Sequence, residues 1–282
     1  MKKTIVFILL SMVIHCSTAW AEETMTWLVT NWPPLQMLEG PDKGKGRYDA
    51  FMELYREHLP QYEHKTIEMN WSRFWTDIKE GKNVCSIFAV YSKDRAEFAE
   101  YSELATVGIP LRIVMRQSDM EKLGNPESIS LIDLLEDDRF KGTLVNKRSY
   151  FAILDPILEE HHRNIKRISV SDKNLIRMIL SGRTDYTLEY SYVANYLAEK
   201  YKTEYDTKIG SIAIKELPPV VSAYLACPKN EWGKKVIKDF NAALSKLKHT
   251  KEYFDIHLMY QSGPNEIDAI TEGYQKLILK KD

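Results

Sequence analysis

Twice along this chain a helical apolar pattern stops at a glycine, a basic residue follows, and a short apolar run begins. Ile78-Lys79-Glu80-Gly81-Lys82 leads into Val84-Cys85-Ser86-Ile87, and Ile179-Leu180-Ser181-Gly182-Arg183 leads into Tyr186-Thr187-Leu188. A helix that ends at glycine and feeds a strand is half of a βαβ unit, so the device confines the chain to an α/β fold with mostly parallel sheets. Its recurrence implies two such series, in keeping with 282 residues at roughly 150 per domain.

The remaining pattern fills in both series. Trp27-Leu28-Val29-Thr30 reads as a first strand. Tyr48, Phe51, Met52, Tyr55 and Leu59 form the buried stripe of a helix that stops at Pro60. A strand near 65–69 leads to a helix capped by Ser72, with Phe74, Trp75 and Ile78 on one face. The run 84–90 is continuously apolar, as in a strand covered on both faces. A charged stretch at 117–126 marks a boundary, beyond which strands at 142–145, 165–170 and 185–189 alternate with helices at 151–162 and after the capping residue Ser171. Leu217-Pro218-Pro219 breaks the chain before a strand at 220–226. Helical stripes follow, one of them Trp232, Val236, Ile237, Phe240, Leu244 and Leu247. Three helices without new strands make a poor third domain, so they are expected to return and cover the first lobe. That places lobe 1 at 22–116 and 222–282 and lobe 2 at 117–221, with crossings near 114–118 and 216–222.

Residues 1–21 stand apart. Lys2 and Lys3 precede an apolar run, and Ala19-Trp20-Ala21 supplies small residues at the two positions a signal peptidase reads. The run falls short of the roughly 20 apolar residues a span needs. His15 before Cys16 disfavours a lipid anchor. A periplasmic protein with a cleaved signal and no stable membrane anchor is therefore expected, acting as a monomer. Its mature part keeps 37 basic against 40 acidic side chains, since Lys2 and Lys3 leave with the signal. No bulk positive field remains to hold nucleic acid. The lysines at 234, 235, 246, 248 and 251 read as a solvated helix face. Cys85 and Cys227 each sit inside an apolar strand-like run, where a buried thiol behaves as a small hydrophobe; a disulfide is the less favoured alternative.

Chemical signatures are missing. No GxGxxG, GxxxxGK[ST], HExxH, CxxC or GxSxG occurs, so phosphate cradles, zinc-protease helices and nucleophile elbows have no support, and neither cofactor nor metal is expected. His161 and His162 are adjacent on a predicted helix and point apart.

At Trp32-Pro33-Pro34, Gly46-Arg47-Tyr48-Asp49 and Ser92-Lys93-Asp94-Arg95-Ala96 the sequence resembles the family 3 extracellular solute-binding proteins, the periplasmic receptors of polar amino-acid transporters. The resemblance covers nearly the whole mature chain and rests on the order and spacing of these motifs. Gly182-Arg183-Thr184-Asp185 resembles the family's entry to a second-lobe strand whose end faces the ligand. It implies a two-lobe periplasmic-binding-protein-like fold, each lobe a mostly parallel sheet flanked by helices and joined by two crossovers. It also implies capture of a small-molecule ligand for an inner-membrane ABC permease, without catalysis.

Ligands of open α/β sheets bind beyond the carboxyl ends of strands, and Ser92 and Arg95 lie just after one. Arg95 is the leading ligand residue, since the family's matching arginine grips the ligand carboxylate through a planar fork. Its competing reading is a surface arginine paired with Asp94 or Glu97. Trp32 and Trp71 fall where family members stack aromatics on the ligand. Arg148, Ser149 and Tyr150 sit where the family contacts carboxylate or side chain. Phe88 and Val90 replace the family's glycine and Ser/Thr, and Tyr190, with Glu189 beside it, replaces the aspartate that holds an ammonium. These departures point from a standard α-amino acid toward a larger or flatter carboxylate held between tryptophans. The competing functions are an enzyme on the same scaffold, with Glu189 as its acid or base, and a sensory protein without a transporter.

Overall fold

The computed structural model describes residues 23–280 except Lys147, Val170, Ser171 and Ser262. The expected signal, residues 1–21, and the expected cap Ser171 lie outside the described residues. The chain runs β1 (Glu23–Val29), α1 (Arg47–His58), β2 (Tyr62–Glu68), α2 (Trp71–Lys79), β3 (Val84–Ala89) and β4 (Ala99–Gly108). There follow β5 (Arg112–Arg116), α3 (Gln117–Lys122), β6 (Ser128–Ile129), α4 (Leu131–Glu136), β7 (Gly142–Val145), α5 (Leu154–Glu160), β8 (Ile165–Ile168), α6 (Asp172–Leu180), β9 (Tyr186–Glu189), α7 (Ser191–Lys200) and β10 (Ile209–Ile214). The return is β11 (Val221–Pro228), α8 (Glu231–Leu247), α9 (Lys251–Leu258) and α10 (Pro264–Gly273).

The strands form two sheets, in the orders β2-β1-β3-β11-β4 and β6-β10-β5-β9-β7-β8. In each sheet all the strands but one share a direction. Among the described strands, those that run against their sheet are β11 in the first and β5 in the second. Both are the strands by which the chain enters from the other sheet. The chain leaves β4 at its carboxyl end, where that sheet faces its partner, so β5 starts from the facing edge and must run backward; β11 repeats this on the return. The sequence pattern places the first passage near 114–118, but Arg112–Arg116 is already hydrogen-bonded between β10 and β9, so the chain changes sheets at 109–111. The second passage spans 215–220.

The helix–glycine–basic device is structural in both places. Gly81 and Gly182 adopt φ of 79° and 72°, the left-handed region that glycine enters without steric cost. Each closes its helix with the same two bonds: Lys82 N–H to Asp77 O at 3.0 Å and Gly81 N–H to Ile78 O at 3.0 Å, against Arg183 to Met178 at 2.9 Å and Gly182 to Ile179 at 3.0 Å. This pairing satisfies carbonyls that the helix end would otherwise orphan. At the start of α2 the cap is Asn70, whose side chain accepts from Arg73 N–H at 2.9 Å, two residues earlier than the expected Ser72. Asparagine and serine cap equally well, so the pattern alone does not choose between them.

One core is built from Trp27, Phe51, Tyr55 and Ile87 together with Phe240, Leu244, Tyr253 and Ile270. The three C-terminal helices thus cover the first sheet. A second core gathers Ile113, Leu144, Leu154, Tyr186, Leu188 and Ile212 around the second sheet. Burying each such side chain contributes about 1.5–3 kcal/mol. Cys85 on β3 and Cys227 on β11 are joined in a disulfide, not left as two thiols. The pairing follows from topology: β11 inserts beside β3, which brings together residues separated by 142 positions.

Candidate functional site

A cavity of about 810 Å³ lies between the carboxyl ends of the two sheets, lined from both. Its first-sheet wall begins with Trp32. The turn after β1 folds back so that Trp32 N–H donates to Gln36 O at 2.9 Å while Trp32 O accepts from Leu35 N–H at 2.8 Å. That turn presents the indole edge-on to Tyr190 of the second unit, with ring centres 5.6 Å apart. Trp71, opening α2, stacks on Trp75 one turn later at 6.3 Å. Arg95, in the short turn after β3, lays its guanidinium 4.1 Å above the Trp75 ring, a cation–π contact. The alternative of an Arg95 pair with Asp94 or Glu97 is not formed: among the described residues no carboxylate lies within the 4.0 Å of an ion pair. A shallower groove of about 960 Å³ shares Trp71, Trp75 and Arg95 on their outer side. The inter-sheet cavity is the binding candidate because both units contribute to it.

The second-sheet wall is tied together by internal pairs. Arg148 donates from Nη1 and Nη2 to the two oxygens of Glu189 at 2.6 and 3.0 Å, and Glu189 is 1% exposed. Glu189 also accepts from Tyr190 N–H at 2.8 Å. Ser149 Oγ donates to Asp155 at 2.5 Å and Tyr150 N–H to the same carboxylate at 2.7 Å. Tyr150 itself is fully buried, its hydroxyl accepting from Val145 N–H at 2.8 Å.

Of the residues singled out from sequence, Trp32, Trp71, Ser92, Arg95, Arg148, Ser149 and Tyr190 border the cavity. Tyr150 and Glu189 do not; they lie beneath the wall, one filling the second core and one holding Arg148. Sequence reading missed Trp75, placed on the packing face of α2, and Arg47, Tyr48 and Tyr91. Trp75 carries a signal, since it falls four residues after Trp71 and so on the same helix face. Phe88, noted as a family departure, stacks nearly parallel on Tyr48 and makes the floor aromatic.

Charge in the cavity is lopsided. Arg47, Arg95 and Arg148 border it, while Asp155, the carboxylate among its lining residues, already accepts from Ser149 and Tyr150. Burial pushes the phenols of Tyr48, Tyr190 and Tyr192 above their ordinary range, so they stand as neutral donors. Among the described residues no group of three or more His, Cys, Asp or Glu could hold a metal ion, and no helix is long and apolar enough to cross a membrane. The site can therefore grip an acceptor-rich, flat solute between aromatic faces.

Neither a family model nor a curated protein sequence matches the chain. Solved structures do. The probable amino-acid ABC transporter extracellular-binding protein ytmK of Bacillus subtilis is 16% identical, with 84% of this chain and 97% of that one covered and a TM-score of 0.65. The structure reported for glutathione import via GshT and the cystine ABC importer TcyBC of Streptococcus mutans is 18% identical, covering 85% and 95%, with a TM-score of 0.62. The periplasmic VFT2 domain of BvgS from Bordetella pertussis is 16% identical, covering 85% and 94%, with a TM-score of 0.59.

Proposed function

The two-sheet fold is that of periplasmic binding proteins, and from it we propose a solute-binding protein. It closes its two units on a small carboxylate-bearing ligand, flat or aromatic, and delivers it to an inner-membrane ABC permease. The observation that carries this reading is Arg95: a guanidinium stacked on Trp75, at the mouth of an aromatic cavity, with no carboxylate partner. A half-buried fork beside stacked indoles is suited to a planar acid. The units to be closed are 23–108 with 221–280, and 112–214, hinged at the two passages between sheets. Export through a cleaved signal at 1–21 would put the protein in the periplasm.

Binding without chemistry is the reading that the Glu189 geometry supports. A base that must reach a substrate proton cannot be a carboxylate held at both oxygens by Arg148 and beneath the cavity wall. A thermal-shift screen of the purified protein over a metabolite library tests the proposal, since a ligand at about 100 times its Kd adds about 2.7 kcal/mol. Planar or aromatic acids are expected to raise the Tm. A library without one hit, or prompt turnover of a hit, would overturn it. A hit that binds but leaves transport by a neighbouring permease unchanged would move the protein to a sensory role.

A further inference from the structure

Arg47 is the cation that neither the motif reading nor the wall pairs account for. It is the first residue of α1, 5% exposed, and borders the cavity. Its guanidinium lies over Gly108, where an added Cβ would meet Nη2 at 3.5 Å, and 5.1 Å from the ring centre of Tyr192. With the Gln261 amide turned to satisfy both of its ends, that oxygen accepts from Nη1 at 3.3 Å. Nε has no partner, and among the described residues no carboxylate comes within ion-pair distance. An arginine buried this deeply is ordinarily paired, because an uncompensated charge out of water is expensive.

A second buried donor in the same cavity is also orphaned. Trp32 Nε1 has no acceptor among the described residues. The two border one tyrosine pair: Trp32 meets Tyr190 edge-on at 5.6 Å, Tyr190 stacks on Tyr192 at 5.4 Å, and Tyr192 faces Arg47. Donors left unmade in a low-dielectric corner each carry a desolvation penalty, which an acceptor-bearing guest would relieve. A neutral guest would leave the Arg47 charge uncompensated, and a cationic one would add repulsion.

We propose that Arg47 and Trp32 Nε1 form a second anion site, so that the ligand carries two anionic groups on a flat, apolar frame: one for Arg95 and one for this corner. The inference rests on reading the cavity as a ligand site. It also explains why no free carboxylate is kept for an ammonium: Glu189 is consumed by Arg148 and Asp155 by Ser149 and Tyr150.

The test uses the mature protein and a set of probes of fixed spacing: phthalate, isophthalate and terephthalate against benzoate and L-phenylalanine, at constant ionic strength. At least one dicarboxylate should bind the wild type more tightly than benzoate. Arg47→Met should erase that advantage, weakening the dicarboxylate about tenfold or more beyond any loss for benzoate. Arg47→Met should also leave the Tm of the ligand-free protein level or raised, since it removes an unpaired charge and keeps the apolar stem. If Arg47→Met does not fold, Trp32→Phe removes the partner donor and should cost part of the same advantage. Three outcomes overturn the proposal: dicarboxylates no better than benzoate, an advantage that survives both variants, or benzoate weakened as much as the dicarboxylates. Should the metabolite screen find a ligand with one acid or none, this inference falls and the binding reading stands; if nothing binds at all, both fall.

Discussion

Arg148 and Glu189, on different strand ends of the second unit, hold each other through both terminal guanidinium nitrogens and both carboxylate oxygens, at 2.6 and 3.0 Å. Either residue alone reads as a ligand contact. Together they form a brace in the cavity wall, with Arg148 at its surface and Glu189 beneath it, and the lining arginines without a carboxylate are Arg47 and Arg95 of the first unit.

That brace is testable by stability. Glu189→Gln should destabilise the protein by about 3–5 kcal/mol, the range for removing one member of a buried pair. The double variant Arg148→Met/Glu189→Leu should lose less than Glu189→Gln, because no charge is then left unpaired. Urea titrations followed by circular dichroism measure both; a double variant weaker than the single would mean the pair is net stabilising.

Arg95 as the proposed anion clamp should act on binding and not on folding. Arg95→Ala should weaken a library hit by about 2–5 kcal/mol, as for truncating one partner of a desolvated charge contact, with an unchanged Tm in the absence of ligand. Arg95→Lys should recover little, since a point charge lacks the two-pronged fork and stacks less well on Trp75. Calorimetry on the three proteins decides; equal affinities would remove Arg95 from the site.

Closure should be visible in tryptophan emission. Trp32, Trp71 and Trp75 border the cavity, whereas Trp27 is fully buried and Trp232 packs at the edge of the first core. A bound ligand should shift the emission of the wild type. Phenylalanine at 32, 71 or 75 should each remove part of that change, and Trp232→Phe none of it. A triple variant at 32, 71 and 75 that responds as the wild type does would place these rings in packing alone.

The disulfide should matter to stability. Cys85→Ala/Cys227→Ala is expected to cost about 2–5 kcal/mol, as does loss of a native bridge. Reductant should lower the denaturant midpoint of the wild type by a matching amount and leave the variant unmoved.

Acid should weaken the protein through His257. Burial, assisted by the neighbouring Arg47 charge, lowers this imidazole to about 3, and its Nδ1–H donates to Tyr253 O at 2.8 Å. The unfolded chain takes up the proton near pH 6.5, well before the folded one, so stability is full above about 6.5 and is lost as pH falls toward about 3. The slope approaches 1.4 kcal/mol per pH unit. His257→Gln should flatten denaturation midpoints between pH 6.5 and 4; a slope equal to the wild type would assign acid loss to other groups.

What the sequence by itself determined is what near neighbours decide. The glycines at 81 and 182 end their helices because only a residue without Cβ enters the left-handed region cheaply. The apolar run of β3 declares its burial on both faces, and the Trp32 turn and the post-β3 position of Arg95 are local as well. What only tertiary structure decided are relations between residues far apart along the chain. β5 joins the second sheet because the chain enters from the facing edge, a choice that no periodicity within its five residues records. Cys85 meets Cys227 because β11 inserts beside β3. Arg47 stands in sequence inside the Gly46–Asp49 motif, but Tyr192 and Gly108 enclose it. A charge's role depends on which groups surround it within a few ångströms, and in this protein those groups come from both sheets.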